Sequence, residues 1–199
     1  MMTSNEISSR QLEIIEVSGK ILVEKGIKGL TTKTVAAEMN FSESAIYRHF
    51  KSKEEILITL LQLLKQNMHI RLAKEFKIEN TATKNFEAVF QSQFKYFKKN
   101  PHFVVAVLSE GLLDESDEIK RIILQLMNNK MQIVAQIITQ GKQNSEFTSD
   151  IATEDLLPII LGAFRFQMLK WKISNFTFDI EIEGTKNIQN LLILIKNKS

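Results

Sequence analysis

Residues 31–50 read TTKTVAAEMNFSESAIYRHF and predict two short helices that meet at a tight turn. The hydroxyl of Thr31 can accept a hydrogen bond from a free amide of a first helical turn, so we expect a helix from there to Met39. Asn40 tolerates the left-handed backbone region better than most residues, which places the turn at this position. Ser42 then caps a second helix that we expect to reach Phe50.

This pair of helices has the residue types that a helix-turn-helix requires. Ala36 is small where the helices cross, Asn40 accepts the turn, and Ile46 is apolar where the second helix packs on the first. Phe41 and Phe50 complete the packing. The remaining side chains of the second helix face outward, toward a major groove: Ser42, Glu43, Ser44, Tyr47, Arg48 and His49.

Helical patterns continue on both sides of this stretch. Apolar residues recur at helical spacing over Ser8–Lys25, and Gly26 follows as a helix terminator. Ser52 and Glu55 have the spacing of a capping box, which opens a helix that we expect to run to about Phe76. The first three helices form a small head, which we assign to residues 1–52.

The rest of the chain, residues 53–199, is predicted to be a larger helical body. Five further helices are expected: one that carries Phe86, Phe90, Phe94 and Phe97, one from Pro101 to about Glu110, one from the acidic break Asp114–Asp117 to near Gly141, one capped by Thr153 that runs to about Ser174, and one capped by Asp179. No segment reads as a strand. The sequence therefore predicts an all-α protein of about nine helices.

Composition agrees with a helical globular protein and limits its location. The 199 residues include only two prolines and seven glycines, and 44% of them are hydrophobic and 25% charged. The net charge of +3 permits an anionic partner without establishing one. Because neither a signal-peptide pattern nor a long apolar run is present, we expect a cytoplasmic protein that does not enter the membrane.

The sequence offers no set of residues for catalysis or metal binding. There is no cysteine, and His49, His69 and His102 lack the spacing that places two ligands on one helical face. No glycine-rich phosphate loop is present. We therefore expect no enzyme, no metal and no cofactor, and we assign His69 and His102 to structure or solvent.

The motifs of the first quarter resemble the TetR family of transcriptional regulators. Such a protein has a threonine-capped second helix, a recognition helix that ends in Tyr-x-x-Phe, and a following Ser-Lys-Glu. In this chain the second helix carries Thr31-Thr32 and Val35-Ala36. The recognition helix follows Phe41-Ser42 and ends in Tyr47-Arg48-His49-Phe50, and the next segment is Ser52-Lys53-Glu54. The resemblance implies a DNA-binding head, followed by a body that binds an effector and dimerises.

The resemblance also implies which residues contact double-stranded DNA. Phosphate contacts are expected from Thr32, Tyr47, His49 and Lys53, with Thr31 as the cap beside them. Base edges are expected to lie nearest Ser42, Glu43, Ser44 and Arg48, and Arg48 can grip a guanine with both of its terminal nitrogens.

Three positions depart from the usual family pattern. Glu43 and Ser44 stand where lysine and glycine are common, so Glu43 either accepts from a cytosine amino group, repels phosphate, or stabilises the N-terminus of its own helix. Gly19 replaces a larger apolar residue of the first helix, which costs about 1 kcal/mol of helix propensity.

A pocket for an apolar effector is a second prediction for the body. Aromatic, methionine and glutamine side chains at helical spacing are its candidates: Phe90, Phe94, Met127, Met131, Phe164, Gln167, Met168 and Trp171. Arg165 and Lys170 are further polar candidates. The same spacing also fits plain core packing, and only the family resemblance favours a ligand.

Pairing of two chains is expected from the last two helices. Gly162-Ala163 permits close approach of a partner helix, and Ile188, Leu191, Leu192 and Ile195 make the last helix apolar over a wide face. The alternative is that both helices pack inside one subunit. Because one recognition helix reads few base pairs, we expect a homodimer on a near-palindromic site.

The sequence leaves two functions open. One is a homodimeric repressor that a small apolar or amphipathic ligand releases from DNA. The other is a DNA-bound protein-interaction factor, because Tyr47-Arg48-His49-Phe50, Ser52-Lys53 and Asn100-Pro101 also resemble the nucleoid occlusion factor of the same fold family.

Overall fold

The computed structural model describes residues 7–109 and 111–197, and these residues form ten α-helices. The helices are α1 (Ser9–Gly29), α2 (Thr32–Glu38), α3 (Glu43–Tyr47), α4 (Lys53–Glu75), α5 (Ala82–Lys99), α6 (Pro101–Val107), α7 (Leu112–Glu115), α8 (Asp117–Gln143), α9 (Thr153–Ile173) and α10 (Ile180–Ile195). The only β-type pairing among the described residues is an isolated bridge between Phe147 and Lys196. The predicted all-α fold is therefore confirmed.

The chain divides into two compact units. The head unit comprises the described residues of Met1–Asn67 and Pro101–Gln125. The body unit comprises those of Met68–Asn100 and Leu126–Ser199. Helices α4 and α8 contribute residues to both units, and the predicted division into residues 1–52 and 53–199 remains a prediction about function.

Side-chain caps define the short helices of the head unit as the sequence predicts. Thr31 accepts a hydrogen bond from the amide of Thr34 at 3.0 Å, and Ser42 accepts one from Ala45 at 3.3 Å. Asn40 has a positive φ of 55° in the turn between α2 and α3. Its short polar side chain tolerates this conformation, so the tight turn is confirmed.

Several helix boundaries differ from the predicted ones. Gly26 interrupts α1 as predicted, because its φ of 65° and ψ of −173° are non-helical, but a short helical segment follows it to Gly29. Helix α3 ends at Tyr47, and the next residues form turns in which the amide of Phe50 donates to the carbonyl of Ile46 at 3.0 Å. Thr153 is the first residue of α9 and not its cap, because Ala152 occupies the capping position without a side-chain hydrogen bond. The short helix α7 (Leu112–Glu115) overlaps the start of the predicted acidic break, and it raises the number of helices in the described residues to ten.

Gly19 permits a close contact between α1 and α6 in the head unit. A Cβ atom at this position would lie only 2.9 Å from Cγ of His102. Burial lowers the pKa of the His102 imidazole to about 4, so the ring is neutral at physiological pH. The absence of a side chain at Gly19 therefore lowers helix propensity but leaves space for the imidazole ring of His102.

The core of the body unit is built from phenylalanines of α5 together with α8, α9 and α10. Phe86, Phe90 and Phe94 are fully buried. Gly184 allows α10 to approach α5, because a Cβ there would lie 2.6 Å from Cζ of Phe94. Asp179 caps α10 as predicted, through the amides of Glu181 and Ile182.

The apolar face that was expected to pair two chains lies inside the body unit. The four side chains concerned are all buried within one chain: Ile188, Leu191, Leu192 and Ile195. They are covered because α10 packs against α5 and α9. The interpretation of these residues as an exposed dimer face was therefore wrong.

Candidate functional site

Apolar packing fixes α3 against α2 and leaves a polar face. Ile46 is fully buried, and Ala36 and Phe50 are 4% and 1% exposed. The amide of Phe41 also donates to the carbonyl of Ala36 at 2.9 Å, which closes the turn. Five side chains at the start and end of α3 are exposed as a result: Ser42, Glu43, Ser44, Tyr47 and Arg48.

The Glu43 carboxylate is the centre of a hydrogen-bond network between α2 and α3. Thr32 donates its hydroxyl to Oε1 of Glu43 at 2.7 Å, and the Tyr47 hydroxyl donates to the same oxygen at 3.4 Å. The hydroxyls of Thr32 and Tyr47 lie 3.3 Å apart. Two predicted phosphate contacts thus converge on one acidic side chain of the recognition helix, which the sequence pattern did not anticipate.

The caps of the two helices use the remaining predicted hydroxyls. Ser42 Oγ and Ser44 Oγ lie 2.9 Å apart at the exposed start of α3. The backbone amide of Thr31 donates a hydrogen bond to the hydroxyl of Thr34 at 2.9 Å, which completes a capping box. These contacts hold the first turns of α2 and α3 in a fixed geometry.

Lys53, at the start of α4, forms an ion pair within the head unit. Its ammonium lies 2.5 Å from Oε1 of Glu115 on α7, and the two side chains are 27% and 25% exposed. A lysine that is expected to bind phosphate is therefore neutralised in this structure by a carboxylate that lies 62 residues away in the sequence.

A cleft next to α3 adds a basic residue that the sequence analysis did not single out. The cleft has a volume of about 430 Å³ and is lined by Arg10, Phe41, Ala45, Arg48 and His49. The guanidinium of Arg10 lies 5.0 Å from the centroid of the Phe41 ring. Gln11 donates to the carbonyl of His49 at 3.3 Å, so α1 also supports the end of the recognition segment. Spacing alone gives no signal for Arg10, because a charged residue in a first helical turn is commonly solvated.

The body unit brings some of the predicted ligand-binding residues together. Phe164 contacts Phe90 and Phe94 with ring centroids 5.6 and 5.5 Å apart, and Phe97 at 6.5 Å. Phe86 joins them through Phe90 at 4.9 Å. We call Phe86, Phe90, Phe94, Phe97 and Phe164 the aromatic cluster.

The other predicted ligand residues lie outside this cluster or at the surface. Gln167, Met168 and Trp171 are buried on α9, and the indole of Trp171 donates to the carbonyl of Phe178 at 2.9 Å. Met127 and Met131 on α8 are 51% and 38% exposed. The membership of these five side chains in one pocket remains a prediction.

Lys130 is the residue of the body unit that sequence reasoning missed. Its ammonium lies 2.9 Å from the centroid of the Phe164 ring and 5.4 Å from that of Phe90. Burial lowers the pKa of Lys130 well below its usual range, and the nearby charge of Arg71 lowers it further. A lysine between Asn129 and Met131 has no sequence signal for burial, because most lysines on helices face water.

The described helices contain no segment that combines the length and the hydropathy needed to cross a membrane.

Two family models together match most of the chain. Bacterial regulatory proteins of the tetR family match residues 14–60, and the C-terminal region of YsiA-like proteins matches residues 61–195.

Two relatives extend over nearly the whole chain. The fatty acid metabolism regulator protein of Bacillus subtilis is 21% identical over 189 residues, which cover 95% of this chain and 97% of the relative. The nucleoid occlusion factor SlmA of Actinobacillus pleuropneumoniae is 24% identical over 181 residues, which cover 89% of this chain and 88% of the relative. The chain is thus similar to proteins of two different functions.

Solved structures share the fold. FadR from Bacillus subtilis, in complex with stearoyl-CoA, has a TM-score of 0.77 at 20% identity and covers 91% of this chain and 97% of its own. FadR from Bacillus halodurans has a TM-score of 0.80 at 17% identity and covers 93% and 95%. With its helix-turn-helix, its helical body and the two family models that match residues 14–195, the chain belongs to the TetR family of DNA-binding transcriptional regulators.

Proposed function

We propose that this regulator is a homodimeric repressor that binds a near-palindromic operator and leaves it when a small apolar or amphipathic ligand enters the body unit. The observation that carries the proposal is the rigid α2–α3 frame, which exposes Tyr47 and Arg48 side by side at the end of the recognition helix. The protein acts on DNA in the cytoplasm.

The DNA-contacting residues follow from the polar face of this frame. Tyr47, His49 and Lys53 supply donors for phosphate oxygens, while Arg48 is the residue best suited to read a guanine edge. Thr32 is a further phosphate donor, Ser42 and Ser44 lie nearest the base edges with Arg48, and the caps Thr31 and Ser42 keep α2 and α3 in place. Glu43 lies among them, where its carboxylate accepts from the hydroxyls of Thr32 and Tyr47 and opposes the approach of a phosphate.

Pairing of two chains is supported by an exposed apolar stripe on α9. Ile159, Phe166 and Ile173 follow one another at seven-residue intervals and are 53%, 67% and 72% exposed. Such spacing places side chains on one face of a helix. On α10, Ile182, Ile193 and Leu194 are exposed as well. A second copy of the chain that covers these residues gives the two recognition helices that a palindromic site needs.

The dimer is tested by analytical ultracentrifugation of the wild type and of Phe166→Glu. We expect a dimer and a monomer, respectively, with the same helical circular dichroism. A Leu124→Glu variant is the matched control, because Leu124 on α8 is 58% exposed but lies outside the stripe. If the Phe166→Glu protein stays dimeric, the proposed interface is wrong.

DNA binding is tested by selecting genomic fragments with the purified protein and sequencing those retained. On the selected fragment, we expect Lys53→Met to weaken binding about tenfold and to reduce the salt dependence by about one counterion. Lys120→Met is the matched control, because Lys120 also forms an ion pair, with Asp117, yet lies on α8. Equal losses in both variants would contradict a specific role for Lys53.

A ligand sensor and a protein-interaction factor are separated by the response to ligand. The solved relative FadR from Bacillus subtilis holds stearoyl-CoA, whereas the relative SlmA is a nucleoid occlusion factor. The alternative function is supported by the second resemblance. Release of the selected DNA fragment by a long-chain acyl compound favours the repressor. Unchanged DNA binding with every such compound, together with binding of a cell-division protein, favours the alternative.

A further inference from the structure

The body unit places a lysine ammonium on aromatic rings and not on a carboxylate. Lys130 Nζ contacts the faces of Phe164 and Phe90, as described above. No ion pair or hydrogen bond in the described part of the chain includes Lys130. A ring face attracts a cation much less than a carboxylate does, so this position retains the capacity to bind an anion.

A second cation, Arg71 on α4, is near enough to affect Lys130 electrostatically. Arg71 donates to Ser92 Oγ at 3.0 Å and to Oε1 of Gln93, and its guanidinium lies 4.7 Å from the centroid of the Tyr96 ring. Tyr96 in turn contacts Phe97, with centroids 5.9 Å apart, and Phe97 contacts Phe164. Contacts between neighbouring side chains therefore connect Arg71 with Lys130 through the rings of Tyr96, Phe97 and Phe164.

The charges of this connected set of side chains favour a negative partner. Arg71 and Lys130 oppose each other electrostatically, since the charge of Arg71 lowers the pKa of Lys130. Burial raises the pKa of the Tyr96 hydroxyl to about 12, which keeps it protonated and able to donate. The Glu75 carboxylate offsets part of the charge of Arg71, so Lys130 is the cation of this set that lacks a counterion. A lone ammonium beside five phenylalanines matches a molecule that combines one anionic group with a long apolar chain.

We propose that the effector is a long-chain carboxylate whose head group binds the ammonium of Lys130 on the side of Arg71, while its hydrocarbon chain lies along the aromatic cluster. This inference rests on the proposed function as a ligand-released repressor. It differs from recognition of a coenzyme A thioester in the same orientation, because the thioester carbonyl that takes the place of the carboxylate is uncharged, and the phosphates of coenzyme A lie at the far end of the pantetheine arm. Binding of the carboxylate forms the ion pair that the free protein lacks.

The experiment compares three probes of equal chain length by isothermal titration calorimetry on the full chain. The probes are dodecanoate, dodecan-1-ol and dodecanoyl-CoA. We expect the wild type to bind dodecanoate about tenfold more tightly than the alcohol. In Lys130→Met, which keeps the length of the side chain, dodecanoate binding should fall about tenfold and alcohol binding should be unchanged. Lys130→Arg should restore the preference for the carboxylate.

Lys84→Met is the matched control variant. Lys84 lies on α5, the helix that carries four rings of the aromatic cluster, but its side chain is exposed to solvent. We expect this variant to bind all three probes as the wild type does. The operator fragment selected above gives a second readout, since dodecanoate should release the wild type at a lower concentration than it releases Lys130→Met.

The outcomes separate the inference from the proposed function. Equal affinity of the wild type for dodecanoate and the alcohol, or a carboxylate preference that survives in Lys130→Met, overturns the inference and leaves a ligand-released repressor in place. Tight binding of dodecanoyl-CoA with weak binding of dodecanoate also overturns it. If none of the three probes binds, both the inference and the effector part of the proposed function are wrong.

Discussion

The polar face of the head unit and the aromatic cluster of the body unit differ in how their charged groups are paired. In the head unit, the Glu43 carboxylate accepts from two hydroxyls, and Lys53 forms an ion pair with Glu115. In the body unit, Lys130 lies against two aromatic rings. A ligand for the head must therefore compete with contacts that already exist, whereas a ligand for the body supplies a contact that is missing.

This difference has energetic consequences for each unit. The Lys53–Glu115 pair is about one-quarter exposed, so water screens it and its loss costs little. Lys130 is half-buried by surface area, and a cation without a counterion against apolar rings is costly because the loss of water opposes its charge. Substitution of Lys130 should thus change stability, and substitutions at the head face should change DNA affinity.

The largest expected effect is a stabilisation by Lys130→Met. Removal of the buried charge with retention of the side-chain length should raise the free energy of unfolding by about 2 kcal/mol at neutral pH. Because the pKa of Lys130 is lower in the folded state, the penalty is fully present below that pKa. It disappears as the pH rises through the unfolded value of 10.5. The difference between variant and wild type, measured by urea denaturation, should therefore shrink as the solution becomes more alkaline.

The exposed Lys170 provides the comparison for this effect. Lys170→Met should change the free energy of unfolding by less than about 0.5 kcal/mol, because surface substitutions rarely do more. A Lys130→Met protein that is no more stable than the wild type would mean that the Phe164 ring fully compensates the buried charge. The contrast between the two units would then fail.

A smaller effect is expected for Gly19→Ala in the head unit. Helix propensity alone predicts a gain of about 1 kcal/mol. The new Cβ would instead approach the His102 ring to 2.9 Å, so we expect a net loss of about 1 kcal/mol in thermal or urea unfolding. In a His102→Ala background the clash is absent, and the same substitution should stabilise the protein. A loss of equal size in both backgrounds would exclude the ring as its cause.

Local signals in the sequence were enough to predict the helix-turn-helix. Thr31 and Ser42 cap the helices, Asn40 makes the turn, and Ile46 is buried, as their residue types indicate. Each of these properties depends on neighbours within a few residues, for which capping and backbone preferences are sufficient. The all-α fold followed for the same reason.

Contacts between distant parts of the chain were not accessible to that reasoning. The Lys53–Glu115 pair spans 62 residues, and the contact between Gly19 and His102 joins two helices that no periodicity relates. Lys130 is a further example, since a helical pattern assigns lysine to the solvent side. The buried face of α10 was misjudged because periodicity shows which side is apolar but not which partner covers it.

Glu43→Gln tests whether the head face is restrained by its own carboxylate. Loss of the negative charge weakens the hold on Thr32 and Tyr47 and removes repulsion of phosphate, so affinity for the selected fragment should rise about threefold. Fluorescence anisotropy at several salt concentrations measures this change. Glu38→Gln on α2 is the control, because Glu38 is exposed in the same unit and takes no part in the network. Weaker binding by Glu43→Gln on the selected fragment would mean that Glu43 reads a base.

The smallest effect is expected for Glu115→Gln, which removes the counterion of Lys53 without touching any residue of α2 or α3. The ammonium then reaches a phosphate without first breaking an ion pair, so DNA affinity should rise about twofold at low salt. Added salt screens the ion pair of the wild type as well, so the difference between the two proteins should narrow. Asp117→Gln, which breaks the exposed pair with Lys120, should leave affinity unchanged. Lower affinity in Glu115→Gln would show that Glu115 positions Lys53 for DNA. Glu43 would then be the one carboxylate of the two that competes with DNA for the side chains of the head unit.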